Sequence, residues 1–373
     1  ETIMPTTHYR HGGSSAGRTI ACPSWRTLAD TLPQSEGKSS DAALEGTALH
    51  NFMEAILEGD AELTAPFTCD ETGITLNGDQ HARATDAYRA WVDLCERYTV
   101  DEYITEETMW MNGDVGGTAD VIAFCKDTTI IIDWKFGQGV MVEPQGNPQG
   151  LFYAMLAEHA GEFDPDATNL VIAIIQPLPT RAGSETLKLW DVPKDVYALF
   201  KRTYLKAISV GSGYQTGSHC NFCPCAPICP EKTGLAGKAR RLDPDLTDDL
   251  STNLTLALEL EGWIKAVKKL AHDQADLGNK IDGYKLVAKR ATRKWTDPEA
   301  VEAALRKRRG VKVGEFMTTS ELKSVAQLEK VIDLAVIDAY ITKHSSGTTL
   351  VPEGDKRDEV ITATSLKEAL NRL

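Results

Sequence analysis

The chain has 373 residues, 42% of them hydrophobic, and a formal net charge of −14. That length leads us to expect two or three domains with a real core. No apolar run approaches the ~18 residues that would span a membrane. The negative balance excludes a nonspecific nucleic-acid coat, but not a basic groove, because nucleic acid responds to the local field and not to the sum of charges.

The first residues, 1–8, are polar and lack the apolar stretch of a signal peptide, so none is expected. Up to about residue 45 the chain is rich in Gly, Ser and Pro, with Ala21-Cys22-Pro23-Ser24-Trp25 embedded in it. A helix is predicted over Asp41–Ile56, where Leu49, Phe52, Met53, Ile56 and Leu57 recur at helical spacing. His50 and Glu54 are four apart and share one of its faces. A second helix is predicted over Asp79–Tyr98, with Tyr88, Trp91, Val92, Leu94 and Cys95 turned inward.

Strands follow, from Tyr103 to Asp133. Val121–Phe124 and Thr129–Ile132 are apolar runs of strand length, split by the turn residues Lys126-Asp127. On such a hairpin Asp120 starts one strand and Asp133 ends its neighbour, so their carboxylates can face each other. Two close carboxylates repel unless a cation lies between them. Hard divalent ions take oxygen ligands, which points to Mg²⁺ or Mn²⁺. Lys135 shares a strand face with Asp133, where it can touch a phosphate or position a water. A helix is predicted from Gln149, with Tyr153 one turn on. Leu170–Ile175 is apolar throughout, as in a strand buried on both faces. Val196–Val210 is a helix leading to the cysteines.

There are eight cysteines. Cys69, Cys95 and Cys125 sit among apolar residues and read as small core residues. Cys220, Cys223, Cys225 and Cys229 are clustered among prolines, a metal-binding pattern. Disulfides are not expected. Structural zinc and an iron–sulfur cluster both suit the spacing.

Gly234–Lys238 reads as a linker, and a helix is predicted over Leu254–Leu277 through Leu254, Leu258, Trp263, Val267 and Leu270. The stretch Gly283–Trp295 then packs Lys285, Lys289, Arg290, Arg293 and Lys294 with Tyr284 and Trp295. Cations for phosphates and rings for bases suit single-stranded DNA. A basic strand and turn with Trp295 in the core suits the pattern equally. Arg306–Arg309 is a basic run at a helix end, where cations favour the dipole. A last helix is predicted over Val325–Tyr340. No internal repeat or low-complexity tract is present.

Four short patterns occur in order: Gly46 with His50, Gly117 with Asp120, Asp133 with Lys135, and Gln149 with Tyr153. Together they resemble the PD-(D/E)xK nuclease superfamily in its RecB-like branch. The resemblance extends over nearly the whole chain, to phage and prophage members. It implies a nuclease domain over residues 1–235, a mixed central sheet flanked by helices. It also implies a mainly helical, partly basic region over 236–373. By the same resemblance His50, Asp120, Asp133 and the backbone carbonyl of Trp134 would bind the metal. Lys135 would orient the attacking water or stabilise phosphate charge, and Gln149 and Tyr153 would line the DNA path near the catalytic site. Several RecB-like nucleases hold a 4Fe–4S cluster with one early cysteine and three late ones, which here are Cys22, Cys220, Cys223 and Cys229. Cys225 is surplus, and in place of Cys22 it would make an all-local site that favours zinc.

The expected activity is that of a Mg²⁺- or Mn²⁺-dependent DNA exonuclease acting at linear ends, in the cytoplasm of a phage-infected bacterium. Its expected partner is a single-strand annealing protein. The alternatives are a DNA-binding recombination or packaging accessory protein with a vestigial site, and a sequence-specific endonuclease of the same superfamily.

Overall fold

The computed structural model describes residues 9–32, 40–137, 141–177, 185–239, 250–317, 322–333, 335, 337–345 and 347–361. The chain divides into two compact units at Leu260/Glu261, later than the expected boundary at 235/236.

In the first unit two short helices, α1 (Ala16–Ala21) and α2 (Trp25–Ala29), precede α3 (Asp41–Glu58) and α4 (Gly78–Tyr98). Three strands follow, β1 (Glu102–Trp110), β2 (Gly116–Cys125) and β3 (Thr128–Trp134). Then come α5 (Pro148–Ala160), β4 (Asn169–Ile175), β5 (Leu187–Val192), α6 (Lys194–Val210) and α7 (Pro230–Ala239). The strands form one five-stranded sheet in the order β1-β2-β3-β4-β5. β3 and β4 run parallel, with α5 between them in sequence, while the other three pairings are antiparallel.

The helix ends follow from local chemistry. Ser40 accepts from Ala43 N to start α3, and Gly59 closes it in the left-handed conformation that glycine adopts freely. Asn77 and Gln80 cap each other's backbone at the start of α4. Asn147 caps α5, with Pro148 in the first turn, where its missing N–H costs nothing.

The two sheet faces carry separate cores. Ile122, Ile131 and Ile172 pack with α5 and with Tyr197, Phe200 and Tyr204 of α6. Val121, Ile130, Ile132, Val171 and Ala173 pack with Leu49, Phe52 and Met53 of α3 and Trp91 and Leu94 of α4. Every residue of β3 is buried, which explains its unbroken apolar run. Each fully buried aliphatic or aromatic side chain of these clusters contributes about 1.5–3 kcal/mol. α5 approaches the sheet closely at Gly150, where a Cβ would lie 2.7 Å from Ile172 Cγ2.

The second unit holds the greater part of α8 (Leu250–Asp276). It continues with β6 (Tyr284–Ala288), β7 (Thr292–Trp295), α9 (Pro298–Lys307), β8 (Ile341–His344) and β9 (Thr348–Pro352). β6 pairs with β9 and β7 with β8, each as an antiparallel two-stranded sheet. Its core gathers Val301, Leu305, Phe316, Leu328, Ile332 and Ile337.

Three expectations are corrected here. Asp120 lies in the middle of β2, not at its start, because pairing with β1 extends that strand back to Gly116. Gly234–Lys238 is part of α7 and not a linker, since both glycines are tolerated in a helix. Among the described residues, the predicted helix over Val325–Tyr340 is broken into an α-turn, Val325–Leu328, and a separate 3-10 turn, Asp338–Tyr340, because Leu328, Ile332 and Ile337 fold into a common core. Beside its helices the second unit also carries the short strands β6, β7, β8 and β9. Among the described residues, no helix is long and apolar enough to cross a membrane.

Candidate functional site

The acidic cluster forms where the register of three strands meets α3. Val121 stands opposite Ile132, so Asp120 and Asp133 occupy the next position along the β2–β3 ladder. On the other side of β2, Thr105 pairs with Val121 and Glu107 with Ala119, which leaves Glu106 beside Asp120. Glu106 has φ +45, a left-handed conformation inside a strand. No residue is inserted, so the ladder twists at that point without a bulge. Such a conformation costs on the order of 1–3 kcal/mol for a residue other than glycine, and outliers of this kind concentrate at functional sites.

α3 adds His50, whose Nδ1 lies 3.5 Å from Asp120 Oδ1. His50, Glu106 and Asp120 each offer a ligand atom within 4.8 Å of the others. The second carboxylate oxygen of Asp120 accepts from the backbone N–H of Trp134 at 2.7 Å. Trp134 thus enters the site through its amide, with its ring buried in the core beneath α3 and α4.

Asp133 is 2% exposed. Its Oδ1 accepts from Gln149 Nε2 at 3.0 Å. Lys135 Nζ stands 2.6 Å from its Oδ2, an ion pair that holds the ammonium against the buried carboxylate. Lys135 also donates to Gln149 Oε1 at 3.2 Å, and Gln149 Nε2 lies 3.3 Å from the Tyr153 hydroxyl. Asp133, Lys135, Gln149 and Tyr153 therefore form one connected network. Tyr153 is held between two glycines: a Cβ on Gly13 would meet its ring at 2.8 Å, and one on Gly117 at 3.0 Å.

The electrostatics reflect crowded acids. Burial, then the charge of Asp120, pushes Glu106 up to about 7. Asp133 is likewise raised by burial and then by Asp120, against the opposing pull of Lys135. Burial acts to lower His50, but the charge and hydrogen bonding of Asp120, with Glu106 and Asp133 beyond, raise it overall. Carboxylate oxygens are the donors that Mg²⁺ and Mn²⁺ prefer, and the imidazole beside them suits a transition ion such as Mn²⁺ better than Mg²⁺. The mutual repulsion of Glu106, Asp120 and Asp133 is what a divalent cation would relieve, and His50, Glu106 and Asp120 present the converging ligand atoms. The residues present fit such an ion. Glu106 belongs to this set, although its sequence neighbourhood gave no reason to prefer it over Glu107.

The cysteines gather elsewhere in the first unit. Cys22, Cys220, Cys223, Cys225 and Cys229 line one cavity with Trp25, Tyr214, His219 and Lys232. All eight cysteines of the chain are free thiols. Among the described residues, no three cysteine sulfurs lie within 4.8 Å of one another. Cys225 is almost fully buried, and its S–H points to Trp25 O at 3.2 Å. Burial raises Cys22 and Cys220, whereas Cys223 is lowered, first by the adjoining Cys225 side chain and also by the backbone N–H groups of Cys225 and Ala226.

The basic segment of the second unit is split in its commitments. Trp295 is half-buried, and its ring N–H donates to Lys323 O at 2.9 Å while the ring packs on the apolar core. Of the two readings of this segment, Trp295 follows the core one. Arg293 is ion-paired with Glu329, and Lys285 is half-buried in β6. Lys289, Arg290 and Lys294 are exposed.

A solved structure titled "Crystal structure of SSO0001" aligns with 15% sequence identity over 56% of this chain and 94% of that chain, at a TM-score of 0.23. Residues 8–358 match a family described as "Protein of unknown function (DUF2800)". With that match running over most of its length, the chain belongs to the DUF2800 family.

Proposed function

We propose that this protein is a Mg²⁺- or Mn²⁺-dependent DNA exonuclease of the PD-(D/E)xK superfamily, in its RecB-like iron–sulfur branch. One observation carries the reading: His50, Glu106 and Asp120 bring their ligand atoms within 4.8 Å of one another at the β1–β2–β3 register, beside the buried Asp133–Lys135 ion pair. Four separate sequence patterns thereby contribute to a single connected network.

His50, Glu106, Asp120 and Asp133 would hold the cation. When bound, it activates a water as nucleophile and neutralises charge on the phosphate and the departing oxygen. Lys135 holds an ammonium beside Asp133, where it stabilises negative charge that grows on the phosphate oxygens. Gln149 fixes Lys135 and Asp133 relative to each other, donating to the acid and accepting from the amine. Asp120 is oriented by the Trp134 amide, which keeps its other oxygen towards His50.

Cys22, Cys220, Cys223 and Cys229 would hold a 4Fe–4S cluster that ties the start of the unit to its end. All four line one cavity of the first unit, which is what supports a shared site. Cys225, turned to the Trp25 carbonyl, is then the surplus thiol. Lys289, Arg290 and Lys294 offer exposed charge to the phosphates of a DNA end, without Trp295 as a stacking platform. The same reading extends to a single-strand annealing protein as partner and to the cytoplasm of a phage-infected bacterium as location.

The test is digestion of end-labelled linear duplex beside closed circular DNA, with Mn²⁺ and with EDTA. Wild type and Asp133→Ala are compared. Metal-dependent loss of the linear DNA alone, absent in the variant, is the expected result. Cutting of closed circles would make it an endonuclease. Tight DNA binding with no cleavage by folded, cluster-loaded protein would sink the enzymatic reading in favour of an accessory DNA-binding role.

A further inference from the structure

Arg83 is one of the few buried charges of the first unit, at 5% exposure on α4. Its Nη1 donates to Phe136 O at 2.9 Å, and its Nη2 is ion-paired with Glu45 of α3. Burying a guanidinium costs several kcal/mol, which a single pairing only offsets. A helix packed on a sheet would be at least as stable with an apolar residue in that place, so stability alone does not explain the arginine. Its partners do. Phe136 directly follows Lys135, and its ring meets the His50 imidazole edge-on, with centroids 5.6 Å apart at 82°. Glu45 lies on the same helix as His50. The next carbonyl, that of Gly137, accepts from the buried Gln176 Nε2 at 3.2 Å.

We propose that Arg83 is a positioning residue for the metal centre, a bracket joining the His50 helix to the segment that leaves β3 after Asp133-Trp134-Lys135. It fixes the Phe136 carbonyl, and through the Phe136 ring it fixes the rotamer of His50. It also holds α3 at one distance from the strand end through Glu45. This deepens the metal-dependent nuclease reading and rests on its assignment of His50 and Lys135. Groups that orient metal ligands at one remove typically govern affinity or activity by about 10–100-fold.

The experiment titrates Mn²⁺ into DNA-free protein by calorimetry and, in parallel, measures steady-state digestion of linear duplex. Wild type, Arg83→Gln, Arg83→Lys and Phe136→Leu are compared. Arg83→Gln is expected to weaken Mn²⁺ binding and lower kcat by about 10-fold or more, with KM for DNA little changed. Arg83→Lys, which keeps a donor for the carbonyl but not the fork, should recover part of both. Phe136→Leu should weaken Mn²⁺ binding in the same direction, and it carries the test if Arg83→Gln does not fold. Unaltered Mn²⁺ affinity in folded Arg83→Gln, or in Phe136→Leu when that variant stands in, overturns the bracket while leaving the nuclease intact. A wild type that binds Mn²⁺ but cuts nothing sinks the nuclease reading, and the affinities of the variants still decide the bracket. A wild type that does not bind Mn²⁺ overturns both.

Discussion

The acidic centre and the cysteine cavity both collect chemically like side chains, but they are built by different means. The acids sit on paired strands and helices. Their oxygens are aimed by a backbone amide from Trp134, by Gln149 and by the flanking register. The cysteines sit on helix ends and turns, where Cys22, Cys220 and Cys225 direct their thiols to the carbonyls of Gly213, Gln215 and Trp25. The difference teaches that a site on regular structure is shaped before its ion arrives. A site on turns takes its final form from the group it binds, so binding there is worth folding free energy.

That contrast can be broken by substitution, and the largest effect is expected at the acids. Asp133→Ala should lower linear-DNA digestion by on the order of 10²–10³-fold, the loss typical of removing one preorganised electrostatic group. Its circular dichroism and unfolding temperature should stay near wild type, since the strand remains buried. A collapse of the fold would show that the acids are scaffold and not site.

Cys22→Ser should do the reverse. Iron content, assayed colorimetrically, should fall from about four per chain towards zero, and the first unit should unfold at lower temperature. Cys225→Ser should keep its iron. Full iron in Cys22→Ser with loss in Cys225→Ser would mean an all-local ligand set.

Smaller effects sharpen the claim that the acidic centre is preformed. Gly150→Ala puts a Cβ 2.7 Å from Ile172 Cγ2, so α5 must shift off the sheet that aligns Gln149. Overpacking of this kind costs about 1–3 kcal/mol, which thermal unfolding reads as a fall of several degrees. Digestion should fall with it, because Gln149 is the preceding residue. Glu106→Gly should move stability least, raising it by about 1 kcal/mol through relief of the left-handed backbone, while weakening Mn²⁺ binding. If Glu106→Gly destabilises the protein, the backbone there is not strained.

Much of the centre was legible because its links are local. Asp133 and Lys135 share a face by strand alternation, and Gln149 and Tyr153 by one helical turn. The sheet was legible in the apolar runs of β2, β3 and β4. Glu106 was not, because its place depends on the β1–β2 register and on one unusual φ, neither of which has a residue pattern. Trp295 stayed ambiguous for a related reason: a ring among cations suits a nucleic-acid face and a core edge alike, and only the position of Lys323 decides between them. The stretch from Val325 to Tyr340 has helical periodicity, yet tertiary packing around Phe316 and Ile337 breaks it.

The cysteine cavity has a consequence in time. Cys22 and Cys229 line the same space although nearly the whole first unit is synthesised between them. A growing chain therefore cannot close the cavity until its late cysteines have left the ribosome, and closing so long a loop carries an entropic cost that local contacts do not offset early. Assembly of the cavity is thus a completion signal. The lining of the cavity is complete only when Lys232 has been made.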